Sequence, residues 1–325
     1  MNATVAEAGG SRPQAPRNTA ERVAFALAVA AVFAFLTWAD ATGVGGATAA
    51  MWLLPVAIGV AAGGADEMRR LAAHGSAEVP RWLAVGGCVA VVVAAAWGAG
   101  VLGDGLPGNG VPALAAIGWA GGAALGGFVA VVVREVMLFR TPGQGAAERL
   151  ATMALILVWV GLPVACLVAL RVVDVPMLDE GSGADRSPIL ALASLVAVVK
   201  VGDAAAYCVG SALGRWRMAP ALSPGKTWEG AAASLGGSLA VAWALLGTAP
   251  SLRGGPWGGW LVYGAAVGSA GMLGDLVESL LKREAGCKDS GRSLGPLGGV
   301  LDLVDSLLVA APVAWLLWVA GRAWS

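Results

Sequence analysis

The densest group of side chains able to do chemistry in this 325-residue chain lies between positions 271 and 306. Only 13% of all residues are charged, yet this stretch combines several acids and bases: Asp275, Glu278, Asp289, Asp302, Asp305, Lys282, Arg283, Lys288 and Arg292. Carboxylate oxygens are the ligands that Mg²⁺ prefers, and a glycine-rich loop with basic residues can fold around phosphates. The stretch therefore predicts a site for a divalent cation and a phosphate-bearing ligand.

The spacing of these residues predicts two acidic helix faces. Glu278 and Lys282 follow Asp275 by three and seven positions, which places all three along one side of a helix. Asp302 and Asp305 are likewise three apart, at the start of the next apolar run. A glycine-rich loop joins the two faces. An alternative stays open, in which this stretch is a cytoplasmic connection held by salt bridges between residues three and four positions apart.

Two other places carry charge next to apolar sequence. Lys200 and Asp203 lie three positions apart inside an apolar run, where ionisable groups are candidates for function; an internal salt bridge is the alternative. The segment SPGKTWEG follows, with Ser223 as a helix N-cap and Pro224 as the first helical residue. Lys226 beside that helix N-terminus favours an anion site, although a plain anchor at the membrane surface also fits.

Composition places these motifs in a membrane protein. Hydrophobic residues make up 58% of the chain and the mean hydropathy is +0.74. Apolar runs of about 17 to 24 residues, long enough to cross a bilayer, recur along the chain. They predict an all-α, polytopic transmembrane bundle of about nine spans. The predicted spans are Val23–Ala39, Gly46–Ala62, Trp82–Leu102, Pro112–Val133, Ala151–Val172, Pro188–Leu213, Trp228–Leu246, Trp257–Leu281 and Val300–Ala320.

The distribution of positive charge predicts how these spans are oriented. With the N-terminus inside, sixteen of the 21 Lys and Arg residues fall in cytoplasmic segments, as the positive-inside rule requires. The C-terminus is then outside, and the 271–306 stretch faces the cytoplasm from an inner (cytoplasmic) membrane. Residues 1–19 form a disordered tail, residues 20–187 the N-terminal transmembrane helices and residues 188–325 a catalytic transmembrane region. A net charge of zero gives no indication of nucleic-acid binding.

These pieces combine into one chemical hypothesis. Carboxylates at the cytoplasmic ends of the sixth, eighth and ninth spans bind Mg²⁺, while nearby basic residues face a polyphosphate. A soluble nucleotide and a lipid phosphate would meet at this point of the membrane surface. The basic residues in question are Lys226, Lys282, Arg283, Lys288 and Arg292.

The same residues resemble a known family. Ser279–Arg283, Lys288–Gly291, Gly298–Asp302 and Asp305–Ser306 are similar to the C-terminal motif of phosphatidate cytidylyltransferases, also called CDP-diacylglycerol synthases. Residues 274–278, the SPGKTWEG segment and the pair Asp203 and Tyr207 resemble that family's other motifs in the same order. The similarity covers roughly residues 195–320, while the N-terminal half agrees only in being hydrophobic.

The resemblance implies transfer of CMP from CTP to phosphatidic acid, with Mg²⁺ required and a second metal ion allowed. It implies Asp275 and Asp302 as metal ligands. Asp203, Glu278, Asp289 and Asp305 follow as further ligands or orienting groups. Lys226, Lys282, Arg283 and Lys288 would hold phosphates, with Ser223 and Thr227 adding hydroxyl contacts. The implied partners are CTP, phosphatidic acid and the bilayer, and a homodimer is compatible with the family.

Two positions depart from the family pattern. Leu297 stands where the family has His, and Leu303 stands where it has Arg between the two final aspartates. Leucine offers neither charge nor hydrogen bonds, although Arg292 could offset one lost cation. Two other functions therefore stay open: a catalytically weak or regulatory homologue, and an enzyme with another lipid phosphate as acceptor. A third, a transporter, is suggested by Lys200 and Asp203 inside an apolar run. A transporter would favour paired discontinuous segments in two related halves, which the sequence does not contain.

Overall fold

The computed structural model describes residues 19–44, 50–73, 78–102, 112–141, 145–173, 189–248, 255–291, 293–295 and 298–323. Several predictions concern residues outside these ranges. They are the N-terminal tail before Thr19, Arg292 and Leu297.

Nine helices make up the described part of the chain, and each corresponds to one predicted span. They are α1 (Thr19–Thr42), α2 (Leu54–Ala72), α3 (Arg81–Gly98), α4 (Pro112–Leu138), α5 (Ala146–Arg171), α6 (Leu190–Leu213), α7 (Trp228–Gly247), α8 (Gly259–Glu284) and α9 (Val300–Ala323). Seven of them, α3 to α9, are long and apolar enough to cross a membrane. The predicted helical architecture is confirmed, and the seven apolar helices indicate an integral membrane protein.

The boundaries of α2 differ from the predicted span Gly46–Ala62. The helix begins at Leu54, with Pro55 in its first turn, and continues to Ala72. Proline is favoured in the first turn, because an N–H at that position has no acceptor within the helix. The charged second half of α2 stays helical because Asp66 and Glu67 are buried against protein partners rather than lipid.

The prediction of a helix start at Ser223 and Pro224 is wrong. Strand β2 (Ser223–Thr227) pairs antiparallel with β1 (Arg217–Ala219), and α7 begins only at Trp228. The backbone N–H of Trp228 donates to the carbonyl of Trp216 at 2.9 Å, which extends the pairing to the helix start. Thr227 is the actual N-cap, since its hydroxyl accepts from the N–H of Gly230 at 3.1 Å.

Two apolar clusters form the core, and α9 contributes to both. One cluster is built mainly from α2 to α5, and the other from α5, α6, α8 and α9. Small residues bring α6, α7 and α8 together: a Cβ at Gly202 or Gly268 would lie 2.5 Å from the Ser238 hydroxyl. Gly122 and Gly126, whose spacing predicts close helix packing, instead face open space. Close packing also occurs in the N-terminal half, where a Cβ at Gly98 would lie 2.7 Å from the carbonyl oxygen of Ala115.

A buried ion pair holds the end of α1 against the end of α5. The guanidinium of Arg171 donates to the Asp40 carboxylate at 2.5 Å, and both side chains are excluded from solvent. Asp40 also accepts from the backbone N–H groups of Ala50 and Trp52, at 3.1 and 3.0 Å. The carboxylate thus holds the residues just before α2 as well as the two helices.

Replacing Asp40 with Ala should lower the stability of the bundle. The change leaves the Arg171 guanidinium buried without its carboxylate, which typically costs about 3–5 kcal/mol. Thermal unfolding of the purified protein in detergent, followed by intrinsic tryptophan fluorescence, measures the effect. Glu284→Ala, at an exposed site, is the control and should leave the melting temperature unchanged. Equal melting temperatures for the two variants would show that the ion pair contributes little.

Candidate active site

The predicted reactive residues meet at one end of the bundle, where α8 ends and α9 begins. The two helices approach closely there, because Gly274 on α8 lies against the backbone of α9. A Cβ at Gly274 would be 2.5 Å from the carbonyl oxygen of Asp305. Any larger residue at this position would push apart the two helices that carry most of the acids.

Asp302, in the first turn of α9, accepts hydrogen bonds from three directions. Its carboxylate receives the ammonium of Lys282 at 2.9 Å, the N–H of Gly299 at 2.7 Å and the N–H of Ser290 at 3.2 Å. Gly298 adopts a φ of +97° directly beside this carboxylate, a conformation that side chains disfavour. The loop is thereby folded onto Asp302, and the carboxylate is held in one orientation.

Lys282 connects Asp302 to a second acid. Its ammonium lies 3.2 Å from the carboxylate of Glu278, one turn earlier on α8. Glu278 is only 1% exposed, and its electrostatic neighbours also include Asp305. The predicted shared face of Glu278 and Lys282 is confirmed. Lys282 sits between two carboxylates, so its position is well defined.

The hairpin brings a lysine to the third acid. Lys226 on β2 places its ammonium 2.8 Å from the Asp275 carboxylate on α8. Arg283 fastens the hairpin to the same helix, since its Nε donates to the carbonyl of Leu222 in the turn at 3.2 Å. Asp275 remains 42% exposed. It is therefore the most accessible carboxylate of the three described so far.

Asp203 on α6 completes the group of acids. The hydroxyl of Ser306 donates to its carboxylate at 3.2 Å, and the ammonium of Lys200 lies 3.7 Å away. Its electrostatic neighbours include Asp305 and Asp275. Acids from α6, α8 and α9 thus lie near one another, which is the convergence that the chemical hypothesis requires.

Other predicted residues are less closely involved. Lys288 and Asp289 are exposed on the loop between α8 and α9, and Ser223 is half-buried at the start of β2. Thr227 is buried and caps α7, so its hydroxyl already accepts one hydrogen bond. These positions leave the predicted roles of the four residues in ligand binding as predictions.

The motifs and spacings of the sequence do not identify Glu67 as part of the site. This acid, at the polar end of α2, accepts from the N–H groups of Val300 and Leu301 at 3.0 and 2.9 Å. It also accepts from the Ser290 hydroxyl at 3.2 Å and is only 1% exposed. Glu67 therefore caps α9 and holds the loop whose backbone orients Asp302. Its place beside Asp66 at the end of an apolar run was the only available signal.

The donor set fits a hard divalent cation in its chemistry. Carboxylate oxygens are the preferred ligands of Mg²⁺, which also keeps several waters and substrate phosphates in its shell. In the described residues, no group of three or more His, Cys, Asp or Glu side chains is arranged to hold a metal by itself. Lysines contact Asp275 and Asp302 instead. These residues can supply one or two carboxylate ligands to such a cation, and the remaining ligands would come from water and a bound phosphate.

Comparison of the sequence with known proteins identifies its family and several relatives. A model of the cytidylyltransferase family matches residues 20–320. A phosphatidate cytidylyltransferase of Brucella suis is 46% identical over 128 residues, which are 38% of this chain and 44% of that protein. One of Haemophilus influenzae is 38% identical over 35% of this chain and 41% of its own length. An uncharacterized protein of Escherichia coli is 40% identical over 37% of this chain and 39% of its own length. The alignments thus span less than half of these relatives.

Replacing Glu67 with Ala should loosen the start of α9. Three donors lose a charged acceptor, and hydrogen bonds to charged groups typically contribute about 1.5–3 kcal/mol each. We expect amide hydrogen exchange at Val300 and Leu301 to accelerate by about tenfold or more. Mass spectrometry of peptides covering the first turns of α9 measures this. Glu78→Gln, at an exposed acid shortly after α2, is the control, and equal exchange in both variants would contradict the capping role.

Proposed function

The chain belongs to the cytidylyltransferase family, and we propose from this premise that it transfers CMP from CTP to phosphatidic acid. The products are CDP-diacylglycerol and pyrophosphate. One observation carries the proposal: acids from α6, α8 and α9 meet at one end of an apolar bundle, and lysines from α8 and the hairpin contact three of them. Such a site suits a polyphosphate and a lipid headgroup together.

The reaction is an in-line displacement at phosphorus. An oxygen of the lipid phosphate forms a bond to the α-phosphorus of CTP, and the bond from that phosphorus to the bridging oxygen breaks. The electron pair leaves with pyrophosphate, so no covalent intermediate with the protein is needed. Catalysis then depends on positioning the two anions and neutralising their charge.

The lysines of the site would supply part of that neutralisation. Lys226 lies 2.8 Å from the exposed carboxylate of Asp275, so its ammonium can turn to a phosphate that reaches this acid. Lys282 is held between Glu278 and Asp302 and presents its charge in a fixed place. Arg283 would hold the hairpin over the nucleotide while contacting the carbonyl of Leu222.

Asp275 and Asp302 are the proposed Mg²⁺ ligands, with Asp203 and Asp305 as neighbouring acids. When bound, Mg²⁺ would withdraw charge from the phosphates and favour departure of pyrophosphate. Glu278, being almost fully buried, is better suited to orienting Lys282 than to binding metal. The backbone N–H groups of Ser290 and Gly299 donate to the Asp302 carboxylate and hold it in place.

The proposed setting is an inner (cytoplasmic) membrane. All nine helices would cross it with the N-terminus inside, as the Lys and Arg distribution favours. The site then opens to the cytoplasm, where CTP is available, while the lipid arrives within the leaflet. Glu67 and the start of α9 are in contact, so the end of α2 lies on this same side.

A second candidate is the same transfer to another lipid phosphate. Leu303 occupies the position between Asp302 and Asp305, and its side chain is 37% exposed at the site. An apolar residue there would contact the acceptor without contributing charge. The acceptor specificity of this chain can therefore differ from that of the relatives named phosphatidate cytidylyltransferase.

Replacing Asp275 or Asp302 with Asn should reduce transfer by at least about 100-fold, the typical effect of removing one group that stabilises developing charge. Purified protein is incubated with CTP labelled in the cytidine moiety, Mg²⁺ and phosphatidic acid, and lipid-soluble label is counted. Chelation of Mg²⁺ with EDTA should abolish the product of the unaltered protein.

Glu284→Gln is the matched control, because Glu284 is an exposed acid at the end of the same helix. It should retain full activity. Label transferred at equal rates by the Asn variants and this control would refute the assigned site. If the unaltered protein labels another phospholipid but not phosphatidic acid, the second candidate replaces the first.

A further inference from the structure

Lys200 is an ionisable residue inside an apolar helix that the proposed chemistry does not use. Helix α6 is 24 residues long, and its only charged side chains are Lys200 and Asp203. A charge within a span is unfavourable unless it has partners or a task. The surroundings of its ammonium group therefore need an explanation.

The ammonium of Lys200 lies between α6 and the first turns of α9. It donates to the carbonyl of Leu303 at 3.2 Å and to the hydroxyl of Ser306 at 3.3 Å. These residues flank Asp305 on α9, and Ser306 in turn donates to Asp203. Lys200 thus reaches the acidic group of the active site from its α6 side.

Lys200 forms a longer ion pair than Lys226 and Lys282, two lysines of the candidate active site. Lys226 and Lys282 lie 2.8 and 2.9 Å from a carboxylate. The ammonium of Lys200 is 3.7 Å from the Asp203 carboxylate, too far for a hydrogen bond. Its two hydrogen-bond acceptors are uncharged. Much of its positive charge therefore remains available to an anion.

The exposure of Lys200 distinguishes it further. Its side chain is 41% exposed, against 16% for Lys282. Two neighbouring apolar side chains, Val201 and Leu303, are also exposed. On a membrane-spanning helix, an exposed apolar surface contacts lipid chains. Lys200 thus lies where a lipid-facing surface adjoins the acidic centre.

We propose that Lys200 binds the phosphate of the lipid substrate, which enters between α6 and α9 with its acyl chains along Val201 and Leu303. The ligand is a membrane-embedded phosphomonoester rather than the triphosphate of CTP, which would lie on the side of Lys226 and Lys282. Lys200 holds the lipid phosphate next to the carboxylates of Asp203 and Asp305. This inference rests on the proposed function, since it assigns the lipid subsite of the same site.

The test compares Lys200→Met, which keeps the chain length without the charge, with Lys200→Arg, which restores a cation. We expect Lys200→Met to raise the KM for phosphatidic acid in mixed micelles by about tenfold, the effect of losing one charge-assisted contact. The KM for CTP should stay within about twofold of the original value. Lys200→Arg should recover most of the lipid affinity.

A purely structural role for Lys200 gives a different outcome. Loss of the contacts between α6 and α9 would lower the melting temperature and change both KM values or only kcat. Either result, or a rise in the KM for CTP alone, overturns the proposal. Equal kinetics for Lys200→Met and the unaltered protein overturns it as well.

A binding measurement separates this inference from the proposed function. Short-chain dihexanoyl phosphatidic acid is titrated into the detergent-solubilised full chain by calorimetry, without CTP. Binding that is present in the unaltered protein and at least about tenfold weaker in Lys200→Met supports the lipid subsite, even if no transfer activity is found. Binding of equal strength in both, or none in either, overturns it. Absence of transfer in the unaltered protein would count against the proposed function alone.

Discussion

Charged groups inside an apolar bundle need partners, and this constraint shapes the whole site. Asp302 and Asp275 carry negative charge at the junction of α8 and α9, and Glu278 is buried beside them. Lysines from two different elements contact them at 2.8 to 3.2 Å. The pairing offsets the repulsion among the acids. Each of these lysines is also a cation that a phosphate can attract.

The N-terminal half contributes directly to this arrangement. Glu67 on α2 satisfies the first N–H groups of α9 and holds the Ser290 hydroxyl. Gly291 and Gly299 lie so close to Glu67 that an added Cβ would be 2.6 and 2.5 Å from its carboxylate oxygens. Asp40, paired with Arg171, also holds Ala50 and Trp52 just before α2. The motif-bearing loop is therefore built on helices that carry no recognised motif.

Local spacing predicted the parts of the site that depend on local geometry. The steps between Asp275, Glu278 and Lys282 place them on α8, and the apolar runs gave the nine helices. No pattern within SPGKTWEG predicts the hairpin, because β2 is stabilised by pairing with Arg217–Ala219. Local patterns do not predict the role of Glu67 either, because its partner Ser290 is 223 positions away. A contact of that range leaves no periodic signal in one sequence.

We propose that these paired acids and lysines form a metal-dependent nucleotide site. Equilibrium dialysis of labelled CTP against the purified chain in detergent, with and without Mg²⁺, measures this most directly. About one CTP should bind per chain only when Mg²⁺ is present, and Asp275→Asn should abolish that binding. Equal CTP binding by Asp275→Asn and the unaltered protein, or binding independent of Mg²⁺, would contradict the claim.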